Sequence, residues 1–521
     1  MPNLPALDTL SLAQQVAQMV VVRASGYLFD HQIQYPAWEP VAETLRHWVQ
    51  DWGVGGVILL GGSAGELVLR TQQLQAWASV PLLIAADVEE GVGQRFAGAT
   101  WFPPPMALSA IAQTHADQAE QLAEAMGAAT AQESCAIGLN WVLAPTVDVN
   151  NNPANPVINV RAFGDVPETV SRLATAFIRG AQRHPVLTCA KHFPGHGDTA
   201  VDSHLDLPVI PHSLERLQHV ELPPFRAAIA AGVDSVMSAH LLIPALDSTQ
   251  PATLSPRILT QLLRQELGFD GLITTDALVM GAIANRYGAN EAAVLAVEAG
   301  ADILLMPSDP VGAIQAVCSA VETGRIAAEQ ISASVNRIWR AKHKAAVVDQ
   351  PTIASLGTGE TIAAASAMLQ ASMQVHTTAS SRLTHLHPDA SKRNLILVDD
   401  ALGCDFLGRH TPAIALPAAM GYHLQIVDSR SAMTDLAPEP TLLQLFIRGN
   451  PFRGSAGLTH AAEAWLHSLL QSEQLHALVI YGSPYSLETF LPILPQDVPY
   501  VFTYGQMPEA QAIALNSLFA P

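Results

Sequence analysis

The sequence predicts an α/β protein in two parts: an N-terminal TIM-like (β/α)8 barrel followed by a smaller three-layer α/β/α sandwich domain. Three observations point there. The chain has 521 residues, more than one ordinary domain holds. Short apolar, β-branched runs alternate with helix-favouring stretches up to about residue 345. Past a break near residue 350, the same alternation resumes over a shorter length. An open doubly wound sheet is the rival arrangement for the first part, since it shares the alternating pattern.

The strand candidates of the first part are Met19–Val22, Gly56–Leu60, Leu82–Ala86, Trp141–Ala144, Val186–Ala190, Ser235–Met237, Leu272–Thr275 and Ile303–Met306. Continuous apolar runs of this length suit parallel strands buried on both faces. Between them, Ala107–Gly138, Pro167–Ala181, Leu214–Ala231 and Ala289–Ala299 have helical spacing or composition. Ile331–Val348 reads as a closing helix, with Pro351 just beyond it to end helical structure. The expected organisation is therefore a barrel over residues 1–348, a helical bridge and linker over 349–392, and a sandwich over 393–521. Within the bridge, Thr361–Ser372 is helical and Thr377–Lys392 is polar linker. The sandwich strands are Asn394–Val398, His423–Val427, Leu443–Ile447, Ala477–Tyr481 and Tyr500–Thr503, with Ala461–Gln471 as a helix among them. This part holds no GxGxxG and no phosphate loop, so it is assigned no cofactor.

Composition narrows the function classes. Lys+Arg number 26 against Asp+Glu 46, a formal net charge of −20, which opposes a nucleic-acid partner. Hydrophobic residues make up 49% and charged residues 14%, enough to fill a large core. The mean hydropathy of +0.23 does not signal a membrane protein. No apolar run approaches the roughly 20 residues of a spanning helix. Met1–Leu12 lacks a basic region followed by an apolar core, so no signal peptide is expected. Cys135, Cys189, Cys318 and Cys404 are scattered without a CxxC, as free thiols in a cytoplasmic protein would be.

Several strands run straight into polar residues: Asp87 after the third, Lys191 and His192 after the fifth, His240 after the sixth and Asp276 after the seventh. In a barrel these carboxyl ends converge on one face, where barrel enzymes do chemistry. The densest segment contains Lys191, His192, His196, Asp198, Asp202 and His204, with Gly195 and Gly197 giving the backbone freedom to bend. In an extended segment Asp202 and His204 point to the same side, so the carboxylate can steer the imidazole for acid/base work. A metal site built from His192, His196, Asp198 and His204 is the alternative. It has no ligand spacing of high specificity, and no metal is expected. A structural loop is the third reading.

The runs KHFPGHG and DSH, with GLITTDALVMGAI later, resemble glycoside hydrolase family 3, in particular its β-N-acetylglucosaminidase branch. LSLAQQVAQM, DVEEGVGQRF, APTVDVN, NVRAFG and VMSAH stand in the family's order along nearly the whole barrel. The resemblance implies the C-terminal sandwich that many members carry. It also implies a retaining exo-hydrolase that removes terminal nonreducing N-acetyl-β-D-glucosamine, from peptidoglycan fragments as in cell-wall recycling. By position, Asp276 matches the nucleophile, His204 the acid/base and Asp202 its partner, while Asp87, Arg95, Arg161, Lys191 and His192 match the sugar-holding set. The loop after Asp87 departs from the family pattern: Glu90 stands where glycine is common and Val92 where arginine is common. A β-glucosidase or broader β-glycosidase, and a phosphorylase using the same histidine, are alternatives within the family. A non-catalytic carbohydrate-binding protein has no need of Asp276, Asp202 and His204 together.

Overall fold

The structure is a computed structural model, and it describes residues 4–200, 206–345, 351–377, 391–404, 406–431, 438–448 and 459–519. Eight parallel strands form the first part: β1 (Val20–Ser25), β2 (Gly56–Leu60), β3 (Leu83–Ala86), β4 (Trp141–Val142), β5 (Cys189–Phe193), β6 (Ser235–Ser238), β7 (Leu272–Thr274) and β8 (Leu304–Leu305). One ladder runs β4-β3-β2-β1-β8 and a second runs β5-β6-β7. Parallel bridges Trp141↔Leu187 and Thr274↔Ile303 join the two ladders at both seams. The sheet is thus a closed barrel, and the open-sheet rival is set aside.

The physical basis is the one expected from the apolar runs. β3, β6 and β7 are buried along their full length, because helices cover the outside and side chains fill the inside. Trp141 at the heart of β4 is fully buried, and its indole N–H is satisfied by Ser235 Oγ at 2.9 Å. The long stretch 107–138 is two helices, Met106–Ala112 and Ala116–Ala136. The stretch 214–231 is likewise two, Leu214–His219 and Leu222–Ala230.

One strand lies further along than its apolar run predicts. β5 begins at Cys189 rather than Val186, so Lys191 and His192 belong to the strand and not to the loop after it. Their polarity disguised this. The β5–β6 pairing shifts register between Lys191 and Phe193, leaving His192 as the extra residue of a bulge. Bulges re-aim side chains next to functional sites, and this one serves two neighbouring residues.

The second part is a six-stranded sheet: β9 (Gln374–His376), β10 (Lys392–Leu397), β11 (Tyr422–Val427), β12 (Thr441–Ile447), β13 (Leu475–Gly482) and β14 (Tyr500–Thr503). Their order is β11-β10-β12-β13-β14-β9, all parallel except β9, which is antiparallel to β14. The bridging helix Gly359–Ser372 runs into β9, a strand not singled out from sequence because it is short and carries two polar residues among its three.

Candidate active site

The carboxyl ends of the barrel strands gather a buried charged network. Lys191, 1% exposed, places Nζ 2.6 Å from Asp87 Oδ1 and 2.6 Å from Glu89 Oε1. Arg161 grips Glu89 with two bonds of 2.8 Å, from Nε and from a terminal nitrogen, and gives a third to the Val157 carbonyl at 3.0 Å. Arg95 Nε donates to the Asp87 backbone carbonyl at 3.0 Å, fixing the turn that presents that carboxylate.

Burial and pairing act in opposite directions here, and pairing wins. Burial raises the Glu89 carboxyl, yet Arg161 and Lys191 outweigh it and hold the group well below the usual carboxylate range. Burial lowers Lys191, while Asp87 and Glu89 more than offset this, so the ammonium stays charged. Arg161 is likewise raised, burial being overcome by Glu89.

A second cluster organises the histidines. Asp148, fully buried, accepts the His192 ring at 2.8 Å through Nδ1, and also the backbone N–H groups of His192 and His196. Burial raises this carboxyl but His192 pulls it below its ordinary value. A carboxylate at Nδ1 makes that nitrogen the donor and leaves Nε2 as the ring's other polar atom. His196 is pushed down to about 4, first by burial and then by His192, so its ring is neutral and bonds Thr199 Oγ1 at 2.9 Å.

Asn155 clasps the start of the following loop, its amide nitrogen donating to the carbonyls of His196 and Gly197 at 2.9 Å each. Gly195 has φ +133°, and a β-carbon on Gly197 would run into the Val149 carbonyl oxygen. Asp198 bonds His212 and Arg216, each at 2.8 Å. Both contacts fall on its Oδ2. Among the described residues, no group of three or more His, Cys, Asp or Glu is placed to hold a metal ion. Asp202 and His204 lie outside the described residues.

Asp276 follows β7 and is half-buried at the same face, its Oδ1 accepting the Ala277 N–H at 2.7 Å. It stands two strands from Lys191 and His192, in the ladder β5-β6-β7. His240, at the end of β6, bonds the Ala277 carbonyl through Nε2 at 3.0 Å and Thr253 through Nδ1 at 2.8 Å. The turn carrying Asp276 is thereby pinned from β6.

The structure thus brings Asp87, Arg95, Arg161, Lys191, His192 and Asp276 to one end of the barrel. Three participants had no role assigned from sequence: Glu89, Asp148 and Asn155. A signal existed for one of them, because Asp148 is a charged residue between Val147 and Val149, and such residues are buried only with partners.

A closed parallel barrel with acids and bases at its strand ends, joined to an α/β sandwich, defines a class of two-domain barrel enzymes. The N-terminal domain of glycosyl hydrolase family 3 matches residues 11–341, and the bacterial C-terminal domain of that family matches residues 385–520. The chain belongs to glycosyl hydrolase family 3. It is 37% identical over 331 residues to a β-hexosaminidase A of Pseudoalteromonas piscicida, covering 58% of this chain and 55% of that relative. It is 38% identical over 269 residues to a β-hexosaminidase of Thiobacillus denitrificans, covering 51% of this chain and 74% of the relative. A solved family 3 β-N-acetylglucosaminidase from Paenibacillus sp. str. FPU-7 superposes with a TM-score of 0.78 at 31% identity, covering 98% of this chain and 97% of that one. The matched stretch therefore spans about half the length of the first of these relatives.

Proposed function

We propose that this protein is a retaining exo-β-N-acetylglucosaminidase that releases terminal nonreducing N-acetyl-β-D-glucosamine. The observation that carries the reading is the placement, at the same end of the barrel, of Asp276 and the Asp87–Lys191–Glu89–Arg161 network. The curated β-hexosaminidases and the Paenibacillus structure support the choice of sugar.

In this reading Asp276 attacks the anomeric carbon, and the bond to the leaving oxygen breaks as a glycosyl–aspartate ester forms. His204, steered by Asp202, gives its proton to the departing oxygen. It then takes a proton from the water that cleaves the ester, so configuration is retained and the histidine returns to its first state. Asp87 accepts from sugar hydroxyls, and Lys191 and His192 donate to sugar oxygens. Arg95 and Arg161 act on the same sugar pocket: Arg161 holds Glu89, and Arg95 fixes the Asp87 turn. No cofactor enters these steps.

Cell-wall fragments bearing a terminal N-acetylglucosamine are the proposed source of substrate. The described cysteines form no disulfide, which suits a reducing cytoplasmic compartment, and among the described residues no helix is long and apolar enough to cross a membrane. The test is a comparison of p-nitrophenyl N-acetyl-β-glucosaminide with the β-glucoside, each with and without inorganic phosphate. Faster release from the N-acetylglucosaminide, with free sugar as product, is expected. Preference for the glucoside, or a sugar 1-phosphate as main product, would overturn the reading.

A further inference from the structure

Two side chains of the C-terminal domain reach the loops that build the sugar pocket. Arg448, just past β12, contacts Glu90 through both terminal nitrogens, at 2.5 Å to Oε1 and 3.3 Å to Oε2. Glu90 is 1% exposed and also accepts the indole N–H of Trp101 at 2.9 Å. Trp101 in turn packs against Leu369, Met507 and Ala510. On the other side of the pocket, Tyr485 Oη accepts from Asn150 Nδ2 at 2.9 Å, and the Asn150 backbone carbonyl lies 3.3 Å from the same hydroxyl. Asn150 Oδ1 accepts the Asn159 backbone N–H at 2.9 Å, two residues before Arg161.

These contacts form a chain with both ends in the C-terminal domain. It runs from Arg448 to Glu90, along one peptide to Glu89, across to Arg161, back through Asn159 and Asn150, and out to Tyr485. Arg161 holds Glu89, and Glu89 together with Asp87 holds the Lys191 ammonium. We infer that Arg448 and Tyr485 are positioning residues of the C-terminal domain, bracing from outside the loop pair that holds the sugar; the inference rests on the reading of that pocket given above. A bidentate guanidinium–carboxylate contact fixes both distance and plane, and a buried glutamate held this way cannot rotate without losing its partner. Glu90 is covalently joined to Glu89, so a shift in one moves the other. Glu90, a departure from the pattern that the sequence resemblance implies, thus has its partner on the other domain.

The test measures kcat and KM of Tyr485→Phe, Arg448→Met and Arg448→Lys on whichever p-nitrophenyl glycoside the wild type cleaves, with thermal midpoints alongside. Tyr485→Phe removes one hydroxyl, and KM is expected to rise roughly 3- to 10-fold, the scale of one hydrogen bond, with kcat within about 2-fold. Arg448→Met should raise KM further, and Arg448→Lys should recover part of the loss. Unchanged KM in Tyr485→Phe and Arg448→Met at full folding would overturn the inference, as would a loss that merely tracks the thermal midpoint. The wild-type choice of sugar decides the reading of the pocket, whereas variant-to-wild-type ratios decide the brace, so the two fail separately.

Discussion

The barrel buries two lysines, one at each end, and they meet opposite fates. Lys191 at the mouth is 1% exposed and lies between two carboxylates, which raise its pKa despite burial. Lys342 at the floor is 2% exposed; its Nζ donates to the neutral amide of Gln18 at 2.7 Å and faces the Trp339 ring at 5.5 Å. Burial alone pushes Lys342 down to about 7. Desolvation is common to both, so the difference comes from counter-charge. The mouth keeps charges by pairing them; the floor gives its amine a neutral amide in place of a carboxylate, and burial lowers its pKa.

The sharpest way to break this contrast is to remove charges at the mouth and find activity unaltered. Asp276→Ala should abolish turnover while the thermal midpoint stays near that of the wild type, because a half-buried aspartate contributes little to folding; turnover near the wild-type rate would remove it from the nucleophile role. His204→Ala should lower the rate by roughly 10²–10⁴ on substrates with poor leaving groups. The deficit should shrink with an activated aryl leaving group, and equal deficits on both would remove the acid role. Lys191→Met should lower kcat/KM by roughly 10- to 100-fold, the value of hydrogen bonds to charged groups. It should also cost stability, since Glu89 and Asp87 lose a buried partner. Steady-state kinetics with a melting curve separates the two effects.

At the floor the effect is smaller and falls on stability. An unfolded lysine titrates near its ordinary 10.5 and the folded Lys342 near 7. Between these values the unfolded chain binds the extra proton, so the contribution of Lys342 to stability rises with pH across that window and is least favourable at 7 and below. Lys342→Met should therefore melt a few degrees above the wild type at pH 7, with the gap closing toward pH 10. A gap independent of pH would mean that the amine is charged in the folded protein at both.

The site was legible in the sequence where chemistry and strand ends coincide. Asp87, Lys191, His192 and Asp276 each follow or end an apolar run, and the barrel brings them together. Less visible were residues whose meaning lies in a distant partner. Asp148 is a single acid in an apolar stretch until His192, 44 positions on, is seen against it. Arg161 was expected to hold sugar, and in the structure its donors are spent first on Glu89, 72 positions away, and on Val157. Arg448 and Glu90 are 358 positions apart, and nothing local in either predicts the other.

Local pattern by itself determined the alternation of strands and helices, the number of barrel strands, the sandwich that follows and the chemical residues at the strand ends. Those features depend on periodicity and on side chains near one another along the chain, and both can be read in order. Tertiary structure alone decided that the sheet closes, that β5 takes in Lys191 and His192 with a bulge, which carboxylates keep the buried cations charged, and that the second domain grips the first domain's pocket. These depend on desolvation and on charge pairing between remote segments, and such energies exist only once folding has excluded water and brought the partners within a few ångströms.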